Sequence, residues 1–165
     1  MTRVLVVSGS TREAGSTQKL LRQFSVLFPQ VKWTLCESHG ILPLFHPGLA
    51  ATNEVRQWKE DIRSHDVIFI ITPEYIYNLP AVIKNALEWV TASGELQNKK
   101  VIPCIYTPNS PRGDKAMQSL LWCLQALDAN IFPQLSLYHK SFEWEDDKVI
   151  SGEGVELVEG ILELI

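Results

Sequence analysis

Apolar runs of strand length recur along the chain at residues 4–7, 67–71, 101–106 and 131–138, each rich in Val, Ile or Leu. Runs without polar interruption fit strands covered on both faces, as in a parallel sheet, rather than strands with one face in water. A weaker alternating stretch, residues 31–36, supplies a fifth candidate. Between the strands the period changes to that of a helix. Residues 17–28 place Leu20, Leu21, Phe24, Leu27 and Phe28 at spacings of three and four, one face of a helix. Asn53 is a plausible N-cap for a helix ending near His65, striped by Val55, Trp58 and Ile62. Pro80, at a favoured first-turn position, opens a third helix carrying Val82, Ile83, Ala86, Leu87 and Val90, which Gly94 would stop. A fourth helix runs from about Gly113 to Leu127. The last starts near Gly154 and turns Val155, Val158, Ile161, Leu162 and Ile165 to one side.

Strand and helix therefore alternate throughout, which predicts an α/β fold. Right-handed crossovers make it a three-layer α/β/α sandwich. Five strands favour the flavodoxin-like order 2-1-3-4-5 over the six-stranded dinucleotide fold. The length of 165 residues suits one domain spanning residues 1–165, and no repeat, linker or low-complexity segment divides it. In such sheets ligands bind beyond the carboxyl ends of the strands, beside the switch point, so the loops after strands one, three and four should carry the chemistry.

Composition narrows the function classes. With 45% hydrophobic and 21% charged residues the chain is globular in character, and a net charge of -4 offers no footprint for nucleic acid or an anionic membrane. The charge is uneven: residues 143–165 hold eight acids against Lys148 alone, including the run Glu143-Trp144-Glu145-Asp146-Asp147, an interface or a solvated turn. Cys36, Cys104 and Cys123 form no CxxC pair and lie in apolar stretches, as buried thiols of a reducing compartment would. No apolar run approaches the ~20 residues of a membrane span, and the cytoplasm is the expected location.

The first loop, Ser8-Gly9-Ser10-Thr11-Arg12-Glu13-Ala14-Gly15-Ser16-Thr17, lies between the first strand and helix. A phosphate there meets free N–H groups, the positive end of a helix, several hydroxyls and the Arg12 guanidinium. The loop is neither a Walker A motif nor GxGxxG, so magnesium-dependent phosphoryl transfer lacks support. A hydroxyl-rich turn capping a helix, with Ser16 as a plain N-cap, is the alternative. The second loop, Thr72-Pro73-Glu74-Tyr75-Ile76-Tyr77-Asn78-Leu79-Pro80, sets two tyrosines and apolar neighbours between prolines. That composition suits the edge and face of a flat heterocycle, or packing of Tyr75 and Tyr77 on helices or a second subunit.

Gly9-Ser10-Thr11-Arg12 with Ser16-Thr17, then Pro73-Glu74-Tyr75, Asn78, Pro80 and Lys84-Asn85-Ala86-Leu87-Glu88-Trp89, closely resembles the NADPH-dependent FMN reductase family. Leu42-Pro43-Leu44-Phe45 extends the likeness. The resemblance implies that Ser10, Arg12, Ser16 and Thr17 hold the FMN phosphate, with Gln18 nearby. It also implies that Pro73, Glu74, Tyr75 and Asn78 line the isoalloxazine and ribityl region. Members commonly form homodimers, making Lys84, Glu88 and Trp89 interface candidates, and the state here would be a dimer or tetramer. The third loop, Thr107-Pro108-Asn109-Ser110-Pro111-Arg112-Gly113, departs from the Gly-rich turn of many members, and its prolines remove two backbone donors. Either Asn109, Ser110, Arg112 or Gly113 would then face the flavin's pyrimidine edge, or the loop sits farther out and FMN binds less tightly; Arg112 and Lys115 would instead face the 2'-phosphate of NADPH, or form a solvated helix start.

The implied reaction is hydride transfer from NADPH or NADH through FMN to a small acceptor such as a quinone, azo compound, flavin or metal oxyanion, with ping-pong kinetics and no side-chain base. A non-enzymatic flavodoxin-like electron carrier or flavin-binding protein is the competing class. Carriers tend to be acidic around the flavin, whereas these loops hold Arg12, Arg112 and Lys115. A hydrolase built on Ser10 or Ser16 with His39, His46, His65 or His139 lacks a GxSxG elbow.

Overall fold

A computed structural model describes residues 1–165. Five parallel strands run in the order β2-β1-β3-β4-β5, being β1 (Arg3–Ser8), β2 (Lys32–Leu35), β3 (Val67–Thr72), β4 (Lys100–Thr107) and β5 (Asn130–Ile131). A sixth, β6 (Leu135–Tyr138), continues along the same edge of β4. The expected fifth strand, residues 131–138, is thus two short strands. β5 pairs with Lys100 and Val101, β6 with Cys104 to Thr107, and the ladder lapses between them, where Pro103 and Pro133 lack the N–H a ladder needs.

Period-two alternation sends the two sides of every central strand into two separate cores. Leu5, Val7, Ile68, Ile70, Val101 and Ile105 face α2 (Asn53–Ser64), α3 (Ala81–Glu88) and α4 (Asp114–Ala126), which contribute Trp58, Ile62, Ile83, Leu87, Met117 and Leu120. Val4, Val6, Phe69, Ile71, Ile102, Cys104 and Leu137 face α1 (Ser16–Leu27) and α5 (Glu153–Leu162), which contribute Leu20, Phe24, Val158 and Leu162. The result is the three-layer α/β/α sandwich of flavodoxin-like order, and burying both faces is why the strands read as unbroken apolar runs.

Local chemistry moved several boundaries. Thr52, not Asn53, caps α2, its hydroxyl accepting from the Val55 N–H at 3.4 Å. Gly15 precedes α1 and Ser16 is its first residue, so Ser16 is not the cap. The regular part of α3 ends at Glu88, well before Gly94. There Asn85 donates to the Pro43 carbonyl at 3.1 Å and accepts from the Phe45 N–H at 2.7 Å, while the Trp89 indole donates to the same carbonyl at 2.7 Å. These bonds clamp residues 42–45 to the helix and bury Trp89, so Trp89 is not available to a partner; Lys84 and Glu88 remain on the open face as an ion pair. The acidic run 143–147 forms most of a hairpin, β7 (Glu143–Glu145) with β8 (Lys148–Ser151), turning at Asp146 and Asp147, both at positive φ. Asp147 reaches Lys19 of α1 at 2.7 Å. All three cysteines are free; Cys36 and Cys104 are buried as expected, and Cys123 is half-exposed. No helix is long and apolar enough to cross a membrane.

Candidate functional site

The loops after β1, β3 and β4 converge on a cavity of about 520 Å³. Loop one reaches it because Gly9 lets the chain pass flat against the end of β3. The Gly9 N–H donates to the Ile71 carbonyl at 2.8 Å, and a side chain there would lie 2.0 Å from Thr72 Oγ1. The Ser8 hydroxyl then braces the turn, accepting from the Ser10 N–H and donating to the Ser10 carbonyl, both at 3.2 Å. α1 begins without a side-chain cap, which leaves the N–H groups of Ser16, Thr17 and Gln18 without intrahelical partners beside the cavity. Arg12 stands over this end, and its guanidinium makes no hydrogen bond or ion pair within the chain. Uncapped donors, hydroxyls and an unpaired cation fit a phosphate monoester.

Loop two is a two-residue hairpin turn. Tyr75 and Asn78 exchange backbone hydrogen bonds of 3.0 and 2.9 Å, and Ile76 and Tyr77 between them sit at φ 47° and 56°. Tyr77 is 79% exposed and Ile76 98%, so an apolar flap stands at the cavity mouth. Glu74 lines the cavity, yet its carboxylate has a partner: Oε2 accepts from the N–H groups of Lys115 and Ala116 at 3.2 and 3.1 Å. It caps α4, because Gly113 ahead of that helix has no side chain to do so. Loop three is drawn tight by the Thr107 hydroxyl, which donates to the Arg112 carbonyl at 3.2 Å.

Of the residues named from sequence, Ser10, Arg12, Ser16, Thr17, Pro73, Glu74 and Tyr75 line this one cavity. Gln18 does not. Its amide turns back to the Ser8 hydroxyl at 3.4 Å and borders a separate cleft with Trp33 and His39. Asn78 turns its carbonyl oxygen to the Leu79 N–H at 2.8 Å. Asn109 and Ser110 border another depression, with Tyr138, Lys140 and Glu143. Arg112 supplies loop three's cation, also without an ion pair, and Ile76, Tyr77, Tyr106, Thr107 and Pro108 complete the wall. Tyr106 was hidden in an apolar strand. Its hydroxyl meets His139 Nδ1 at 2.9 Å, and burial pushes the phenol well above its usual range, keeping it protonated.

None of the four histidines bonds Ser10 or Ser16. His39 Nε2 meets the Ser8 carbonyl, His46 the Pro47 carbonyl, His65 the Asp61 carbonyl and His139 the Tyr106 hydroxyl, so the nucleophile–base pair of a hydrolase is missing. No group of three or more His, Cys, Asp or Glu side chains is arranged to hold a metal ion.

Comparison with known proteins agrees with this geometry. Residues 2–143 match the family model described as NADPH-dependent FMN reductase. A quinone reductase from Pseudomonas putida is 33% identical over 88 residues, covering 52% of this chain and 47% of that protein. An NAD(P)H-dependent FMN reductase from Pseudomonas aeruginosa is 31% identical over 97 residues, 56% of this chain and 52% of its own. The chain spans about half the length of these curated relatives. Among solved structures, the flavoenzyme NAD(P)H:(acceptor) oxidoreductase from Paracoccus denitrificans superposes with a TM-score of 0.85 at 22% identity, covering 99% of this chain and 94% of that one.

Proposed function

This chain belongs to the NADPH-dependent FMN reductase family, and from that membership we propose that it is an FMN-dependent oxidoreductase passing hydride from NAD(P)H to a small acceptor such as a quinone, azo compound, flavin or metal oxyanion. The observation that carries the reading is the polarity of one cavity: an uncapped helix start with the unpaired Arg12 at one end and an exposed Tyr75–Ile76–Tyr77 flap at the other. Bound FMN would supply the redox chemistry, taking hydride from the nicotinamide and yielding it to the acceptor. The chain's own residues bind and orient. Arg12, Ser16, Thr17 and the first-turn N–H groups hold the phosphate, and Pro73 and Tyr75 flank the ring. Arg112 would provide positive charge near the flavin, a task to which the α4 N-terminus adds little because the Glu74 carboxylate already occupies its N–H groups. The mobile-acceptor chemistry fits a mouth bordered by apolar side chains rather than by a closed specificity pocket.

The whole chain acts as one FMN-binding domain in this reading. Exposed Ile76, Tyr77, Leu44 and Trp122 support a homodimer or tetramer, and three free thiols support a cytoplasmic setting. Sedimentation analysis tests the oligomer. The test of function is a visible spectrum of protein purified without added flavin, then FMN titration and anaerobic addition of NADPH or NADH. A bound flavin band that bleaches establishes the reductase; a bound flavin that neither nucleotide bleaches favours the electron-carrier class, and no FMN binding at micromolar concentration rejects both.

A further inference from the structure

Resting on the FMN reading, we propose that His139 is a positioning residue for the phosphate, acting through Tyr106, so that a bound phosphate fixes the imidazole with its proton on Nδ1. Tyr106 belongs to two settings at once. It lines the cavity alongside Arg12, Ser16 and Thr17, and its hydroxyl oxygen lies 2.9 Å from His139 Nδ1. A phenol carries one proton and accepts through its lone pairs. A phosphate seated at the start of α1 presents acceptors only, so the phenol must donate to it, and Nδ1 must then donate to the phenol. The opposite arrangement, with the phenol donating to Nδ1, turns lone pairs toward the anion. The phenol stays protonated because burial disfavours its charged form.

The rest of the structure holds the imidazole in place for this task. The ring stacks on Trp144 with centroids 4.9 Å apart and planes 27° from parallel, and the Trp144 indole donates to the His139 carbonyl at 3.3 Å. Trp144 belongs to the hairpin that Asp147 ties to Lys19 of α1. Nε2 has no partner within the chain, and His139 is exposed. The charged groups around the ring are Arg12 and Lys19 from loop one and α1, Asp147 from the hairpin and Lys140 on its own turn. Asp147 is engaged by Lys19. A dianionic phosphate would add the missing negative charge beside this cationic cluster.

The experiment compares affinities for FMN and for riboflavin, which has the same ring without the phosphate, in the wild type and in His139→Ala, His139→Asn, Tyr106→Phe and the double variant Tyr106→Phe/His139→Ala. His139→Ala should weaken FMN about fivefold, the scale of one hydrogen bond, and leave riboflavin unchanged. His139→Asn, whose amide nitrogen reproduces the Nδ1 donor, should restore most of the affinity. Adding His139→Ala to Tyr106→Phe should cost nothing further. Equal losses for FMN and riboflavin, or no rescue by His139→Asn, would overturn the proposal while leaving the FMN reading intact; a wild type that binds no FMN overturns the reading itself.

Discussion

Replacing Glu74 by alanine removes the side chain that closes the start of α4, and the structure fixes how much that should matter. Its Oε2 accepts two N–H groups of unequal surroundings. Lys115 is exposed, so water replaces its lost partner at little cost. Ala116 is 0% exposed, so its N–H would be left unsatisfied, at about 1–3 kcal/mol. Loss of a carboxylate at the positive helix end adds about 0.3–1 kcal/mol. The total for Glu74→Ala is therefore about 1.5–3.5 kcal/mol. Glu74→Gln keeps an acceptor of the same reach and should cost less than about 1 kcal/mol, the charge contribution alone. Urea and thermal unfolding of flavin-free protein measures both without a ligand contribution. At this size each kcal/mol lowers Tm by about 2–4 °C, so the alanine variant should melt roughly 3–14 °C lower, with the urea m-value unchanged. Equal melting of the two variants, or an alanine variant within about 0.5 kcal/mol of wild type, would show that the carboxylate does not cap α4.

Arg12→Ala should weaken FMN by about 1.5–3 kcal/mol, the range for a charged hydrogen bond, with riboflavin unaffected; unchanged FMN affinity in equilibrium titration removes Arg12 from the phosphate site. Gly9→Ala would set a Cβ 3.0 Å from the Thr72 backbone as well as against its hydroxyl, and should cost about 1–3 kcal/mol in urea unfolding while also weakening FMN, because loop one must lift away from β3. Burial lowers the His39 pKa below its ordinary value. The unfolded imidazole therefore takes up a proton near about pH 6.5 while the folded one does not. Stability should be level above that pH and fall as pH drops toward the folded pKa. His39→Gln, which retains a donor for the Ser8 carbonyl, should flatten that part of the profile; a wild-type profile equally flat would contradict the assignment.

The sheet was legible because covering both faces forces unbroken apolar runs, which fixed β1, β3 and β4 nearly to the residue. The break between β5 and β6 was harder to read, since its cause is a pair of prolines, Pro103 and Pro133, on neighbouring strands that sequence does not align. The hairpin of residues 143–151 hid behind its charge: only Trp144 and Val149 turn inward, too few to mark a period. Within the candidate site, loop one was readable because its cavity-lining residues are nearly consecutive. Arg112, named only among several possibilities, and Tyr106 owe their places to the fold, to which composition is blind; the resemblance in turn could not show that Gln18 and Asn78 spend their side chains on Ser8 and Leu79, or that Asn109 and Ser110 border a neighbouring depression. The Glu74 cap joins residues 41 and 42 positions apart, and no local pattern announces such a bond.

The Ile76–Tyr77 turn has an engineering consequence. Both residues occupy the left-handed region, where a β-branched side chain is disfavoured by roughly 1–2 kcal/mol and where Asn-Gly is the unstrained choice. Grafting Asn-Gly at these two positions should raise the melting temperature without touching either core. It should also strip the cavity mouth of its apolar flap. Thermostability is thus most cheaply obtained at two residues that border the candidate site, and a screen that selects on heat alone would drift toward a sturdier protein with a bare cavity mouth.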